Sequence, residues 1–328
     1  MISLKGRNVL LIAPVFFGYQ DEIATELRER GATVDFVPDR PFQSPLMKAV
    51  TRIKRDWVTL FANHFFWNAI QSFDRRSYDF IFVINGEALT PSLIKSLRST
   101  FPSATIILYM WDSFLNRKFL IPNILHYDEC STFDRSDSNF YGMAFRPLFF
   151  SSGFRRASNN ELTTDLSFIG TAHSDRYEII SKLKDNLPVN TNSYFYLYLH
   201  APWVFYFYKL VNPAFKKSTK ADFMFKPLDK FKVQQVFHES RAILDIEHPS
   251  QTGLTMRSLE TVGAAKKLIT TNRFIEEYDF FRKQNILILD RKNIHNIPKY
   301  FFDDSYIDIP DKIYYKYSIQ GWIDDLIR

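Results

Sequence analysis

One cysteine, Cys130, stands among 328 residues, so the chain can form neither an internal disulfide nor a cysteine-based metal site. A reducing compartment is expected. Glycine is equally scarce, with 10 in the whole chain. Neither G-x-G-x-x-G nor G-x-x-x-x-G-K-[ST] occurs, which removes the usual dinucleotide and P-loop fingerprints. No H-E-x-x-H or clustered acid–histidine motif is present, and the 7 histidines are scattered, so no metal and no cofactor is expected. No apolar run reaches the ~20 residues of a membrane span. The longest, 194–208, is interrupted by His200 and Pro202. Lys5 and Arg7 followed by an apolar stretch imitate a secretion signal. Pro14, the lack of a small-residue cleavage site and the charged 21–30 directly behind favour a buried first strand instead. The expected location is cytoplasmic.

With 46% hydrophobic and 24% charged residues, the composition is that of a packed globular protein and excludes disorder or a coiled-coil rod. The length favours two domains. The net charge of +6 invites a nucleic-acid partner, but the cations interleave with acids and no recognition motif accompanies them, so none is expected. The unusual quantity is aromatic: 33 Phe, 17 Tyr and 5 Trp make 17% of the chain. Either the core is rich in phenylalanine or part of this flat apolar surface meets lipid or ligand.

Strand and helix signals alternate along the first half. NVLLIA at 8–13 is a short continuous apolar run suited to a central parallel strand. Residues 21–30 follow with Ile23 and Leu27 on one face, stopped by Gly31. TVDFV at 33–37, DFIFVI at 79–84, a helix near 91–99 and ATIILYM at 104–110 repeat the rhythm. A Ser/Asn/Thr-rich stretch, 151–164, reads as a linker. The rhythm then restarts with DLSFIG at 165–170, a helix from Ser174, strands within 193–199 and at 241–246, a helix at 256–264 and a strand at 267–271. Residues 314–328 carry Ile319, Trp322 and Ile323 and read as an amphipathic closing helix. The pattern predicts an α/β protein with two Rossmann-like domains facing a central cleft: 1–155, 156–312, and a helix at 313–328 closing back.

Ligands of such sheets bind at loops leaving the carboxyl ends of the strands. The most informative segment there is 245–272, DIEHPSQTGLTMRSLETVGAAKKLITTN, which reads as strand, loop, helix, turn, strand. Thr255 is placed to cap the helix, whose free N–H groups and positive dipole end suit phosphate oxygens. Arg257, in the first turn, suits a diphosphate, and Glu260, one turn on, suits a pair of sugar hydroxyls. The alternative for the same residues is a surface helix carrying an i,i+3 Arg257–Glu260 pair.

The run GLTMRSLETVGAAKKLITTN resembles the nucleotide-sugar donor site of GT-B glycosyltransferases, and is similar in particular to the CgeB-like transferases of bacterial surface-polysaccharide, capsule and lipopolysaccharide biosynthesis. DLSFIGTAHSDR at 165–176 and IILYMWDS at 106–113 extend the resemblance, which spans roughly 5–290. It implies a metal-independent glycosyltransferase that moves a sugar from a nucleotide-sugar donor to a bacterial surface glycan, lipid-linked. Thr252, Gly253, Leu254 and Thr255 would then lie against the donor phosphates or sugar, Arg257 on phosphate and Glu260 on the ribose. Thr171, His173 and Arg176, at the first strand of the C-terminal domain, would touch the diphosphate and sugar. Many retaining members carry a Glu-x7-Glu pair. Here Glu260 matches the second position and Thr252 occupies the first, so the resemblance leaves the stereochemistry open. A nucleotide-sugar epimerase of similar architecture and a non-catalytic sugar-nucleotide-binding subunit stand beside this reading.

Transfer also needs a group to take the acceptor proton. The carboxylates at strand ends in the N-terminal, acceptor-side domain are Asp112, after ILYMW, and Glu87, after FVING, with Asp21 a third candidate. Finally, 194–232 concentrates aromatic side chains beside Lys209, Lys216, Lys217, Lys220, Lys226, Lys230 and Lys232, against Asp222 and Asp229. A second such stretch, 48–67, holds Arg52, Lys54, Arg55, Trp57, Phe65 and Phe66. Aromatics beside lysines suit an anionic membrane surface or lipid-diphosphate acceptor, giving a peripheral protein on the inner face of the membrane. A phenylalanine-rich core flanked by solvated lysines reads equally well.

Overall fold

The computed structural model describes residues 1–40, 64–73, 77–157, 161–249 and 251–327. The chain divides into two compact units, Met1–Leu148 with Ile319–Arg328, and Phe149–Ser318.

The first unit holds a six-stranded sheet with the order β2-β1-β3-β4-β5-β6. Its strands are β1 (Asn8–Ala13), β2 (Thr33–Pro38), β3 (Phe80–Ile84), β4 (Thr105–Met110), β5 (Glu129–Thr132) and β6 (Ala144–Phe145). Every pairing is parallel; Leu11, for example, sits between Phe36 and Phe82. The central strands are apolar throughout because helices cover both faces: β3 is buried at all five residues. Helix α1 (Tyr19–Glu29) turns Ile23, Ala24 and Leu27 inward, after Gly18 takes a left-handed φ of 74° at its N-cap. Helix α2 (Pro91–Thr100) starts where Thr90 Oγ1 accepts from Leu93 N, with Pro91 in the first turn. Helix α3 (Arg135–Tyr141) is capped by Asp134. Of the 48–67 stretch, 48–63 lies outside the described residues; Phe66 is buried, with Phe65 and Trp67 packed on the same core.

The second unit is built the same way. Strands β7 (Thr164–Thr171), β8 (Ser193–Tyr198), β9 (Ser240–Asp245), β10 (Lys267–Thr270) and β11 (Ile286–Ile288) pair in parallel in the order β11-β10-β9-β7-β8. The helices are α4 (Arg176–Lys184), α5 (Pro202–Val211), α6 (Lys230–Glu239), α7 (Met256–Gly263), α8 (Tyr300–Asp303) and α9 (Asp311–Lys316). The chain leaves β7 toward β8 on one side and β9 on the other, a topological switch point of the kind at which open α/β sheets bind ligands. In the first unit the corresponding point lies between β1 and β3.

Two readings of the sequence change. The stretch 151–164 is not linker throughout: Phe154 is buried on Phe237, ring centroids 5.0 Å apart, a contact hidden behind polar composition. The closing segment is not one helix from 314. It breaks at Tyr317 and Ser318, where Phe150 N donates to Tyr317 O at 2.9 Å and Tyr317 Oη donates to Asp279 at 2.6 Å. The chain then enters the first unit as α10 (Ile319–Leu326). There Trp322, fully buried, packs against Tyr109 and Phe82 at centroid distances of 4.8 and 5.6 Å. Arg30 ties α1 to α10 through Asp324 at 2.5 Å and Gln320 O at 2.6 Å.

Candidate functional site

In the second unit the strand ends on either side of the switch point carry one polar cluster. Asp245 closes β9 and is fully buried. A carboxylate there must be matched by donors, and the first turn of α7 supplies three. Thr255 Oγ1 donates to Asp245 Oδ2 at 2.6 Å, Ser258 Oγ donates to the same oxygen at 2.5 Å, and Arg257 Nη1 donates to Oδ1 at 3.1 Å. Thr255 is also the N-cap of α7, accepting from Ser258 N at 3.3 Å. Asp245 thus fixes the direction in which the helix begins. Arg257 turns to Asp245, not along the helix to Glu260, and donates from Nη2 to the Ile169 carbonyl.

Arg176, at the start of α4, lies beside it. Its side chain donates from Nε to Ile246 O at 2.8 Å and from Nη1 to Thr171 O at 2.9 Å. Both partners are neutral carbonyls, and among the described residues Arg176 makes no ion pair with a carboxylate. The group is buried, and burial together with the neighbouring Arg257 charge lowers its pKa to about 10. Gly170 permits the arrangement. A Cβ at this position would stand 2.9 Å from Arg257 Nη2 and 3.4 Å from Arg176 Nη1. Both guanidinium groups also lie near the Phe168 ring, their central carbons 5.1 and 5.9 Å from its centroid.

His173 completes this edge. It is hydrogen-bonded to Ser174 Oγ at 2.6 Å, and Ser174 itself takes a left-handed φ of 53°, uncommon for a non-glycine residue. That turn is why α4 begins at Arg176 instead of Ser174. Burial first, then the charges of Arg176, His248 and Arg257, lower the His173 pKa to about 3, so the ring is neutral at ordinary pH. The loop before α7 is latched from below: Asn272 Nδ2 donates to Thr252 O at 3.2 Å and Gly253 O at 3.3 Å, and Gln251 Nε2 donates to Gly253 O at 2.8 Å. Leu254 and Glu260 are buried; Thr171, Thr252 and Thr255 are half-buried.

A residue the sequence did not single out, Arg291, closes the far side. It forks onto Asp175 at 2.7 and 2.8 Å, reaches Glu247 Oε1 at 2.5 Å and Thr271 Oγ1 at 3.1 Å, and its pKa is raised. Its signal in the sequence was faint: an arginine three residues after a short strand that hydrophobic patterning had not revealed.

The first unit brings Glu87 and Asp112 together. Arg117 lies between them, Nε 2.9 Å from Glu87 Oε1 and Nη2 3.0 Å from Asp112 Oδ2. Asp112 Oδ1 also accepts from Ser113 N and Asn116 Nδ2, each at 3.0 Å. Arg40 Nη2 meets Glu87 Oε1 as well, and its Nε stands 3.8 Å from Asp39 Oδ1. Asp39, at the end of β2, is buried, and burial raises its pKa to about 7, with Glu87 adding to the effect and Arg40 opposing it. The criterion that selected Glu87 and Asp112, a carboxylate directly after a strand, selects Asp39 too. Asp21 lies apart, in the first turn of α1, and accepts from Gln20 Nε2 at 2.9 Å. Among the described residues no group of three or more His, Cys, Asp or Glu side chains is arranged to hold a metal ion.

The fold is that of GT-B glycosyltransferases. OtsA, solved in its apo form, superimposes with a TM-score of 0.60 at 12% identity, over 98% of this chain and 99% of that one. The catalytic domain of starch synthase IV from Arabidopsis thaliana, bound to ADP and acarbose, gives 0.53 at 10% identity over 97% and 95%. HepE of Anabaena, in complex with UDP and glucose, gives 0.50 at 9% identity over 98% and 95%. At these identities the likeness is one of fold. No protein-family model and no curated protein sequence matches the chain.

Proposed function

We propose that this chain is a glycosyltransferase taking its sugar from a nucleotide-sugar donor held by the second unit. The observation that carries the reading is the pair Arg176 and Arg257. Two guanidinium groups flank Gly170 at a switch point, one of them buried and hydrogen-bonded to carbonyls alone, beside the N-terminus of α7. Asp245 answers the Arg257 charge, Arg176 is held by carbonyls alone, and a diphosphate supplies anionic oxygens of matching geometry for both. Each guanidinium has five N–H donors and spends two here, leaving three for phosphate oxygens. That HepE and starch synthase IV share the fold and were solved with UDP and with ADP supports the same ligand class.

In the reaction, the acceptor hydroxyl oxygen bonds to the anomeric carbon. The bond from that carbon to the β-phosphate oxygen breaks, and the nucleoside diphosphate leaves with the electron pair. Arg176, Arg257 and the α7 dipole meet the charge on the departing diphosphate, with no cofactor and no metal required. The acceptor proton goes to a carboxylate of the first unit, Asp112 or Glu87, or to the leaving phosphate. Thr171, His173, Thr252, Gly253, Leu254 and Thr255 border the donor, and Glu260 holds the ribose. The acceptor is a lipid-linked bacterial surface glycan of the kind built by CgeB-like transferases, and the protein works peripherally at the membrane.

Titration calorimetry with a panel of nucleotide sugars tests this. One of them should bind, and Arg257→Ala should weaken it by about tenfold to a hundredfold, the loss of a charge-assisted hydrogen bond of ~1.5–3 kcal/mol. Glu260→Ala should weaken it less. Affinity unchanged in both variants would exclude the donor site, and release of a free epimer in place of transfer would exclude the reaction.

A further inference from the structure

Helix α5 reads PWVFYFYKLV, and Lys209 is its one charged residue. A helix apolar on every side is ordinarily enclosed. Here one side is: Phe205 is buried, and Val204 and Tyr208 pack with it against Phe215 and Phe223. The opposite stripe, Trp203, Tyr206, Phe207 and Leu210 at i, i+3, i+4 and i+7, is exposed, Leu210 to 85%. Neither reading of the aromatic-rich segment wins outright, since its phenylalanines divide between core and surface.

The charge around the stripe is one-sided. Residues 186–221 contain no Asp or Glu, while Lys209, Lys216, Lys217 and Lys220 carry positive charge. Lys216, Lys217 and Lys220 are exposed on the turns that follow the helix. Trp and Tyr beside lysines, over an apolar stripe, is the composition of a helix lying in a membrane interface. Among the described residues no helix is long and apolar enough to cross a membrane.

We infer that α5 seats this protein on an anionic phospholipid bilayer. Trp203, Tyr206, Phe207 and Leu210 enter the headgroup boundary, and Lys216, Lys217 and Lys220 meet lipid phosphates. A second copy of the chain fits the stripe less well, because a two-fold contact lays the patch on itself and opposes its own lysines. The helix ends on Asn212, whose Nδ2 donates to the Ser174 carbonyl at 2.9 Å, beside His173. The bilayer contact and the donor loop thus share one hydrogen-bonded frame, a link that rests on the donor reading while the contact itself does not.

Co-sedimentation of the full chain with vesicles tests the inference. The protein should pellet with phosphatidylcholine–phosphatidylglycerol vesicles and stay in solution with phosphatidylcholine alone, and salt should release it. Lys216→Gln with Lys217→Gln should lower the partition coefficient on the order of tenfold, and Trp203→Ser with Phe207→Ser comparably. Circular dichroism and nucleotide-sugar affinity should stay unchanged in both, which separates this result from the fate of the donor site. No pelleting with the anionic vesicles at low salt would overturn the inference, as would binding undiminished in both variants. So would a dimer in sedimentation equilibrium that Leu210→Glu splits, which would make a second copy the occupant.

Discussion

At the strand ends of the first unit burial raises the pKa of a carboxyl, Asp39, to about 7; at those of the second it lowers that of a guanidinium, Arg176, to about 10. The sheets are alike, parallel and with a switch point each, and burial comes first at both groups. At Asp39 the Arg40 charge opposes it and Glu87 adds to it; at Arg176 the Arg257 charge adds to it while Asp245 and Glu247 oppose it. The sign of the strained group differs. A carboxyl that keeps its proton to about 7 and a guanidinium bonded to carbonyls alone are opposite answers to the same burial. One architecture has been given two chemical tempers by a few residues after each strand.

The most severe way to break the contrast is Asp245→Ala. It strands the Arg257 charge and leaves the Thr255 and Ser258 hydroxyls without their shared acceptor, so a loss of ~3–5 kcal/mol is expected by chemical denaturation. A loss under ~1 kcal/mol would mean that α7 is positioned by something else. Next come paired pH effects of opposite slope. Between its ordinary value of 3.8 and about 7, folded Asp39 keeps a proton that the unfolded chain has released, so stability falls as pH rises through that window. Folded His173 refuses the proton that the unfolded chain takes up below 6.5, so stability falls as pH drops from there toward about 3. Asp39→Asn should abolish the first slope and His173→Gln the second in thermal melts run across pH 4 to 8. Identical pH profiles for the two variants would erase the distinction between the units. The gentlest probe is Gly170→Ala. The new methyl would stand 2.9 Å from Arg257 Nη2 and 3.0 Å from the rim of the buried Phe168 ring, so the guanidinium must shift: stability should fall by about 1 kcal/mol and nucleotide-sugar affinity should drop.

The strongly patterned elements were readable in advance. NVLLIA, DFIFVI and TIILYM each form a buried parallel strand because continuous apolar runs suit sheets covered on both faces. Short strands such as Ala144–Phe145 and Ile286–Ile288 were not legible, since two or three residues carry no period. Of the site, Thr255 as a helix cap and Arg257 and Arg176 at strand ends could be selected by residue type and place. What sequence could not reveal is that Asp245 binds three of α7's side chains at once, or that Arg291 and Asp175, 116 residues apart, form a fork. Those pairings depend on the order of strands in the sheet, not on spacing along the chain.

The return of Ile319–Arg328 to the first unit has a bearing on biosynthesis. A chain emerging from the ribosome ordinarily completes its leading domain first. Here the first unit waits for Trp322, Gln320 and Asp324, which follow the whole of Phe149–Ser318 along the chain. The unit begun before the other is closed only after it, so a truncation ahead of Ile319 would injure the unit that holds Met1–Leu148.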